Sequence, residues 1–136
     1  MISQKKYFIE TIQMVEEFHK IFSLPHKNKP ELLDTGLSEL RHRLMAEEND
    51  EYLEACRQSD LIEIADALGD QLYVLFGTIV SHGLQDKMQD ILEEIHRSNL
   101  SKLDHQLKPI FREDGKILKS KTFFRPDIKK ILEDQL

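Results

Sequence analysis

Residues Asp60 to Gly83 read DLIEIADALGDQLYVLFGTIVSHG, and the fold follows from how this stretch divides. Its first half sets Glu63, Asp66 and Asp70 at three- and four-residue steps. On a helix turning 100° per residue these acids fall within about 60° of one another. The second half is apolar nearly all round: Tyr73, Val74 and Gly77 extend the acidic face, while Leu68, Leu72, Leu75 and Ile79 fill the opposite side. That is the pattern of a buried helix. Asp60 suits an N-cap, Glu63 stands at the capping-box position, and Gly83 sits where a helix stops. A helix from Asp60 to about His82 therefore carries its acids on a face leading into the interior, where carboxylates need a partner.

Upstream, Ser38 is a good N-cap for a second helix running to about Arg57. Glu47, Glu48 and Glu51 occupy an arc of about 100° on it. The short connection at Ser59 makes the two helices antiparallel neighbours, so both acid sets are able to face one shared space. Four or more converging carboxylates repel unless a hard cation sits among them, and oxygen-only donors favour magnesium or manganese. Taken one helix at a time, the same spacing also suits an ordinary solvated face.

Farther out, Phe8, Ile12, Val15, Phe18 and Phe22 mark a first amphipathic helix, followed by a loop with Pro25, Asn28, Pro30 and Gly36. A fourth helix spans about Gln85 to Leu103 on Met88, Ile91, Leu92, Ile95 and Leu100. Ile110-Phe111-Arg112 and Lys116-Ile117-Leu118 flank Glu113-Asp114-Gly115 and read as a small hairpin, and Pro126 opens a short last helix. The expected architecture is all-α: one domain, with a four-helix bundle over residues 1–103 and a basic, hairpin-like tail over 104–136.

Bulk properties agree with a soluble, globular helical protein of modest size. The chain has 136 residues, 40% hydrophobic and 32% charged, with a net charge of −6. Between Glu31 and Asp70 stand twelve acids and three bases, whereas Arg97 to Lys130 holds ten bases and four acids. An acidic middle and a basic tail suit a cation bridged to a polyanion, or simply two complementary surfaces. The single Cys56 fits a reducing compartment, and the first residues lack a secretory signal. The charge-free run Gln71–Gln85 is too short for a bilayer. The expectation is cytosolic, with no membrane partner. Nucleic acid is not expected either, because the bases sit in one short tail without an aromatic stacking platform.

The acidic pieces Glu47-Glu48-Asn49-Asp50-Glu51 and Glu63-Ile64-Ala65-Asp66-Ala67-Leu68-Gly69-Asp70 resemble the MazG-like all-alpha nucleoside triphosphate pyrophosphohydrolases, whose signature is E-x-x-E followed by E-x-x-D. Glu17-Phe18-His19, the run Leu72–Gly77, Arg97-Ser98-Asn99-Leu100-Ser101-Lys102, Arg112–Lys116 and Lys119 extend the likeness over nearly the whole chain. The superfamily includes phosphoribosyl-ATP pyrophosphohydrolase-like and dimeric dUTPase-like members. The resemblance implies Mg2+-dependent hydrolysis of a nucleoside triphosphate to monophosphate and pyrophosphate, with Mn2+ as a substitute, in nucleotide-pool housekeeping. It implies Glu48, Glu51, Glu63 and Asp66 as metal ligands and Glu47 as the acid that activates water. Asn99, Lys102, Lys119 and Arg112 would hold the phosphates. A second alignment makes Asp70 the final aspartate, with Ala67 in place of its glutamate, so Asp70 is also a candidate ligand. The resemblance further implies a homodimer or homotetramer. His19, Phe22 and Phe124 are candidates for the base pocket.

Two other readings stand beside it. Glu16-x-x-His19 and Glu93-x-x-His96, joined by one glutamate from each middle helix, match the inventory of a four-helix di-iron carboxylate site. A non-catalytic helical module that binds a partner is the other.

Overall fold

The computed structural model describes residues 4–133, with side chains from Tyr7 onward. These residues form five helices and no strand: α1 (Gln4–Ile21), α2 (Thr35–Arg57), α3 (Leu61–Ser81), α4 (Met88–Leu100) and α5 (Ile128–Leu132). The all-α class is the one the sequence predicts. The chain divides into two compact units, Met1–Asp86 with α1 to α3 and Lys87–Leu136 with α4 and α5.

In the first unit the α2–α3 pair is built around a very short link. Gln58 ends α2, Ser59 takes a left-handed φ of 54°, and Asp60 caps α3 by accepting from the amides of Ile62 and Glu63. A cap of this kind contributes about 1 kcal/mol. The amide of Asp60 donates to the carbonyl of Ala55, so the Glu63 carboxylate does not reach back to it as a capping box would require. Contacts then run in opposite order along the two helices: Ala55 with Asp60, Asn49 with Gln71, and Arg41 with Val74 and Thr78. The helices are antiparallel. Ala55 and Ala67 are buried, and their small side chains suit close helix approach.

The N-cap of α2 lies four residues earlier than Ser38, because Asp34 caps it by accepting from the Leu37 amide at 2.8 Å. The fourth helix is shorter than its apolar pattern suggests, since residues 85–87 form a turn before Met88. α1 packs on α3 through edge-on ring contacts, Phe8 with Phe76 and Phe18 with Tyr73. Its buried stripe is Ile12, Val15 and His19, while Phe22, the last residue of the apolar pattern, is 61% exposed. The same holds for α3: Ile79 and Val80 are buried, but Leu68, Leu72 and Leu75 remain open at 45%, 54% and 44% exposure.

A loop covers the C-terminal end of α3. The amides of Lys27 and Glu31 donate to the carbonyls of Val80 and His82, Gln85 donates to the Lys27 carbonyl, and Ser81 donates to the Pro25 carbonyl. Gly83 permits this approach, with φ at 70° and a Cβ position only 2.1 Å from the Lys29 carbonyl oxygen. Beneath the loop lies a polar layer. Nδ1 of His19, 2% exposed, donates to the Pro25 carbonyl at 2.8 Å. Arg41 donates to the Val74 carbonyl at 2.7 Å and to the Thr78 hydroxyl at 3.0 Å. A Cβ on Gly77 would stand 2.6 Å from Arg41 and 2.7 Å from His19, so only glycine admits both side chains.

In the second unit the tail folds back onto α4 through side-chain bonds. Ser98 donates to the Phe124 carbonyl, Ser120 to the Ser101 and Leu103 carbonyls, and Glu94 accepts from the Asp127 amide. The expected hairpin reduces to one antiparallel bridge, Phe111 with Ile117, closed by the Arg112 amide on the Lys116 carbonyl. A two-residue-wide ribbon without a covered face gains too little to extend further. α5 follows Pro126, capped by Asp127.

Burial holds the His19 imidazole below its ordinary pKa, with Arg41 and His26 acting in the same direction and the bond to Pro25 opposing them. Above about pH 6.5 the ring is neutral folded or unfolded. As pH falls toward the lowered folded value, the unfolded chain binds the proton first and stability is lost. His19→Gln removes this dependence. The stability gap between wild type and His19→Gln, from urea melts, should be largest near pH 7.5 and narrow by pH 5. An unchanged gap would show that His19 does not titrate on unfolding.

Candidate active site

The antiparallel register decides which acids meet. Glu48 and Glu51 sit one turn apart on α2, and the register places Asp70 of α3 opposite them. One carboxylate oxygen from each of these three residues lies within 4.8 Å of the other two. Glu48 is the most constrained: it is half-buried, and its Oε2 is shut off from solvent without a hydrogen-bond partner. Burial pushes its carboxyl pKa upward, and the charges of Glu51, Asp70 and Glu47 and a hydrogen bond to Glu51 push the same way.

Glu63 and Asp66 lie farther along α3, toward the link. With Glu51, Glu54, Ala55, Gln58 and Ala67 they line a groove of about 300 Å³ between the two helices. Glu51 thus belongs both to the three-carboxylate cluster and to the groove. Of the five carboxylates expected at the metal, the structure draws Glu48, Glu51 and Asp70 together and sets Glu63 and Asp66 beside them in the groove. Glu47 is exposed on α2, near enough to the cluster to act on Glu48. Glu54, which lies outside the E-x-x-E signature, also reaches the groove and accepts from Gln58 at 2.9 Å.

The residues expected to hold phosphates all lie in the second unit. Asn99 is exposed in the last turn of α4, whose C-cap is Ser101. Lys102 is half-buried, and the Lys119 ammonium sits 4.9 Å from the centre of the Phe123 ring. Arg112 pairs with Asp114, donating through Nε at 2.8 Å. Of the base-pocket candidates, His19 is enclosed under the loop, the Phe22 ring packs on Phe18 at 4.5 Å, and Phe124 is covered by Arg97 at 4.5 Å.

Neither Glu-x-x-His pair forms a di-iron arrangement. His19 is committed to the Pro25 carbonyl, Glu16 pairs with Lys20, and Glu93 accepts from Gln89. Among the described residues, Glu48, Glu51 and Asp70 are the one group of metal-ligating side chains that converges. Its donors are carboxylate oxygens alone, the set that hard divalent cations prefer. The orphaned Glu48 oxygen is a polar atom whose missing partner a cation would supply.

Paired helices that bring three carboxylates together over an all-α scaffold make a candidate site for a hard divalent cation. A family model for phosphoribosyl-ATP pyrophosphohydrolase matches residues 15–99, from the middle of α1 to the end of α4, and the chain belongs to that family. It is accordingly a pyrophosphohydrolase, acting on the phosphoric anhydride of a nucleotide-like substrate. The matched span contains every acid of the cluster and groove as well as Asn99, whereas Lys102, Arg112 and Lys119 follow it. No curated protein matches the sequence significantly. Among the described residues, no helix is long and apolar enough to cross a membrane.

Sequence reasoning overlooked Arg41 and the Asn49–Gln71 contact. Arg41 had a visible signal as one of three bases within the acidic segment. Asn49 and Gln71 had none beyond adjacency to Glu48 and Asp70.

Relief of repulsion provides a test that needs no substrate. In metal-free protein, Glu48→Gln should raise the melting temperature, because it removes a desolvated charge from the cluster. Asp50→Asn, on the same helix but outside cluster and groove, should change stability by less than about 0.5 kcal/mol. Equal melting temperatures for the two variants would mean that the Glu48 carboxylate is not under electrostatic load.

Proposed function

We propose that this protein hydrolyses a nucleoside or deoxynucleoside triphosphate to the monophosphate and pyrophosphate, with Mg2+ held by Glu48, Glu51 and Asp70 and with Glu63 and Asp66 beside it in the groove. The observation that carries the reading is the convergence of three carboxylates, one of which, Glu48, keeps its Oε2 buried without a hydrogen-bond partner. When bound, the cation supplies charge neutralisation and polarisation at the phosphate oxygens.

This chain's own residues supply the rest. Glu47 is solvent-facing and next to the cluster, so its carboxylate is free to orient a water molecule and accept its proton at a carboxylate oxygen. Asn99 and Lys102 offer amide and ammonium donors for phosphate oxygens, and Lys119 would leave the Phe123 ring to do the same. Arg112 would have to exchange Asp114 for phosphate, and an exposed pair of this kind costs little to open. The triphosphate substrate, the magnesium ion and nucleotide-pool housekeeping are supported by the family resemblance of the acidic motifs, together with the hard-oxygen donor set.

We also propose a homodimer or a larger homo-oligomer with the active site near the interface. Leu68, Leu72 and Leu75 recur at four- and three-residue steps and form one open apolar stripe on α3, beginning two residues before Asp70. A second copy of the chain would cover it.

With Mg2+ present, a panel of ribo- and deoxynucleoside triphosphates should yield monophosphate and pyrophosphate as the first products. Glu48→Gln and Asp70→Asn should each lower turnover by more than about tenfold. Initial release of diphosphate and free phosphate would overturn the assignment. Asp66→Asn should weaken metal binding less than Asp70→Asn, and the reverse order would move the ion into the groove.

For assembly, light scattering should give at least twice the chain mass, and Leu72→Glu should shift the protein toward monomer. A fully active monomeric wild type would remove the case for an interface at this stripe.

A further inference from the structure

The three carboxylates that converge on one point push α2 and α3 apart, so something must hold the pair at that level. The residue after Glu48 is Asn49 and the residue after Asp70 is Gln71, and the Gln71 side-chain amide donates to Asn49 Oδ1 at 3.0 Å. Among the described residues, the other side-chain hydrogen bonds joining α2 to α3 come from Arg41, about two helical turns away. We propose that the Asn49–Gln71 bridge is the positioning element of the cluster, holding the two helices at the register and separation at which Glu48, Glu51 and Asp70 share one divalent cation. The inference rests on the reading of these carboxylates as a metal site.

The bridge suits this role better than it suits general stabilisation. A single amide–amide bond in contact with water adds little to folding free energy. Ligand oxygens, by contrast, must be held within about half an ångström of a productive geometry. Both members of the bridge adjoin a ligand in sequence, so a change in their separation is passed directly to the backbone that carries Glu48 and Asp70. Neither amide brings a charge, so the bridge sets distance without altering the number of negative charges available to the cation.

The test uses Mn2+ alone, titrated into the full chain by calorimetry, with melting temperatures measured on metal-free samples. Gln71→Ala and Asn49→Ala should each weaken Mn2+ binding by about tenfold, in the range for groups that orient metal ligands. The double alanine variant should be no worse than either single one, because both remove the same bond. The swap Asn49→Gln/Gln71→Asn, which keeps both amides and the combined side-chain length, should restore affinity to within about threefold, which a loss of local packing would not explain. Metal-free melting temperatures should stay close to wild type throughout. Glu48→Gln serves as the reference for loss of a ligand. Unchanged Mn2+ affinity in the single variants, additive losses in the double variant, or a failed swap would overturn the positioning role while leaving the metal site intact. No Mn2+ binding by wild type would instead overturn the metal site, and the positioning role with it.

Discussion

The chain concentrates like charges on two helices that pack side by side. α2 and α3 are joined by a link so short that they have no choice but to lie side by side, and Ala55 and Ala67 present little bulk between them. The same approach brings Glu48, Glu51 and Asp70 to within 4.8 Å of one another. Helix pairing is favourable through burial and backbone geometry, whereas the carboxylate level opposes it. The structure tolerates the opposition because the repulsion is confined to about one turn, with attachments on either side of it: the Asp60 amide on the Ala55 carbonyl toward the link and Arg41 toward the far end. A cation among the acids would turn the opposed level into a further attachment.

At the far end the first unit uses hydrogen bonds to neutral acceptors. His19, Arg41, Thr78 and Ser81 are satisfied by carbonyls and hydroxyls, as buried polar groups must be. Gly77 makes room for that layer, and Gly83 lets the loop over it touch the end of α3. The result is a division along α3. Its N-terminal half presents carboxylates toward α2, and its C-terminal half is tied down by hydrogen bonds that do not depend on a cation. Folding of this half is thereby separated from the electrostatic load of the other. The Arg41 guanidinium, held below its ordinary pKa by burial, stays on the folding side of that division.

The second unit solves a different problem with similar means. No described residue of its tail is fully buried, and hydroxyls of Ser98, Ser120 and Thr122 bind backbone carbonyls and fix its path. Arg97 joins Glu94 to the face of Phe124, and the bond from Arg97 holds the Glu94 carboxyl below its usual pKa, with the Asp127 amide helping. Such contacts are individually weak and open to water. Among the described residues, Lys102 and Lys119 make no ion pair with an acid.

Much of this was legible in one dimension. Periodicity marked the helices, and the position of Asp60 and the brevity of the link implied the antiparallel pair, because caps and connections are local chemistry. The Glu-x-x-Glu spacing placed Glu48 and Glu51 on one face for the same reason. What periodicity cannot decide is which turn of one helix lies opposite which turn of the other. Glu63, Asp66 and Asp70 share a stripe on α3, and only the interhelical register selects Asp70 for the cluster and leaves the other two in the groove. Exposure followed the same rule: the sequence showed that Leu68, Leu72, Leu75 and Phe22 are apolar, but not whether a neighbour covers them. Residue chemistry and spacing along the chain were therefore determined by the sequence alone, while which acids converge and whether the apolar stripe is covered were decided by tertiary packing, since both depend on distances between segments that no local pattern encodes.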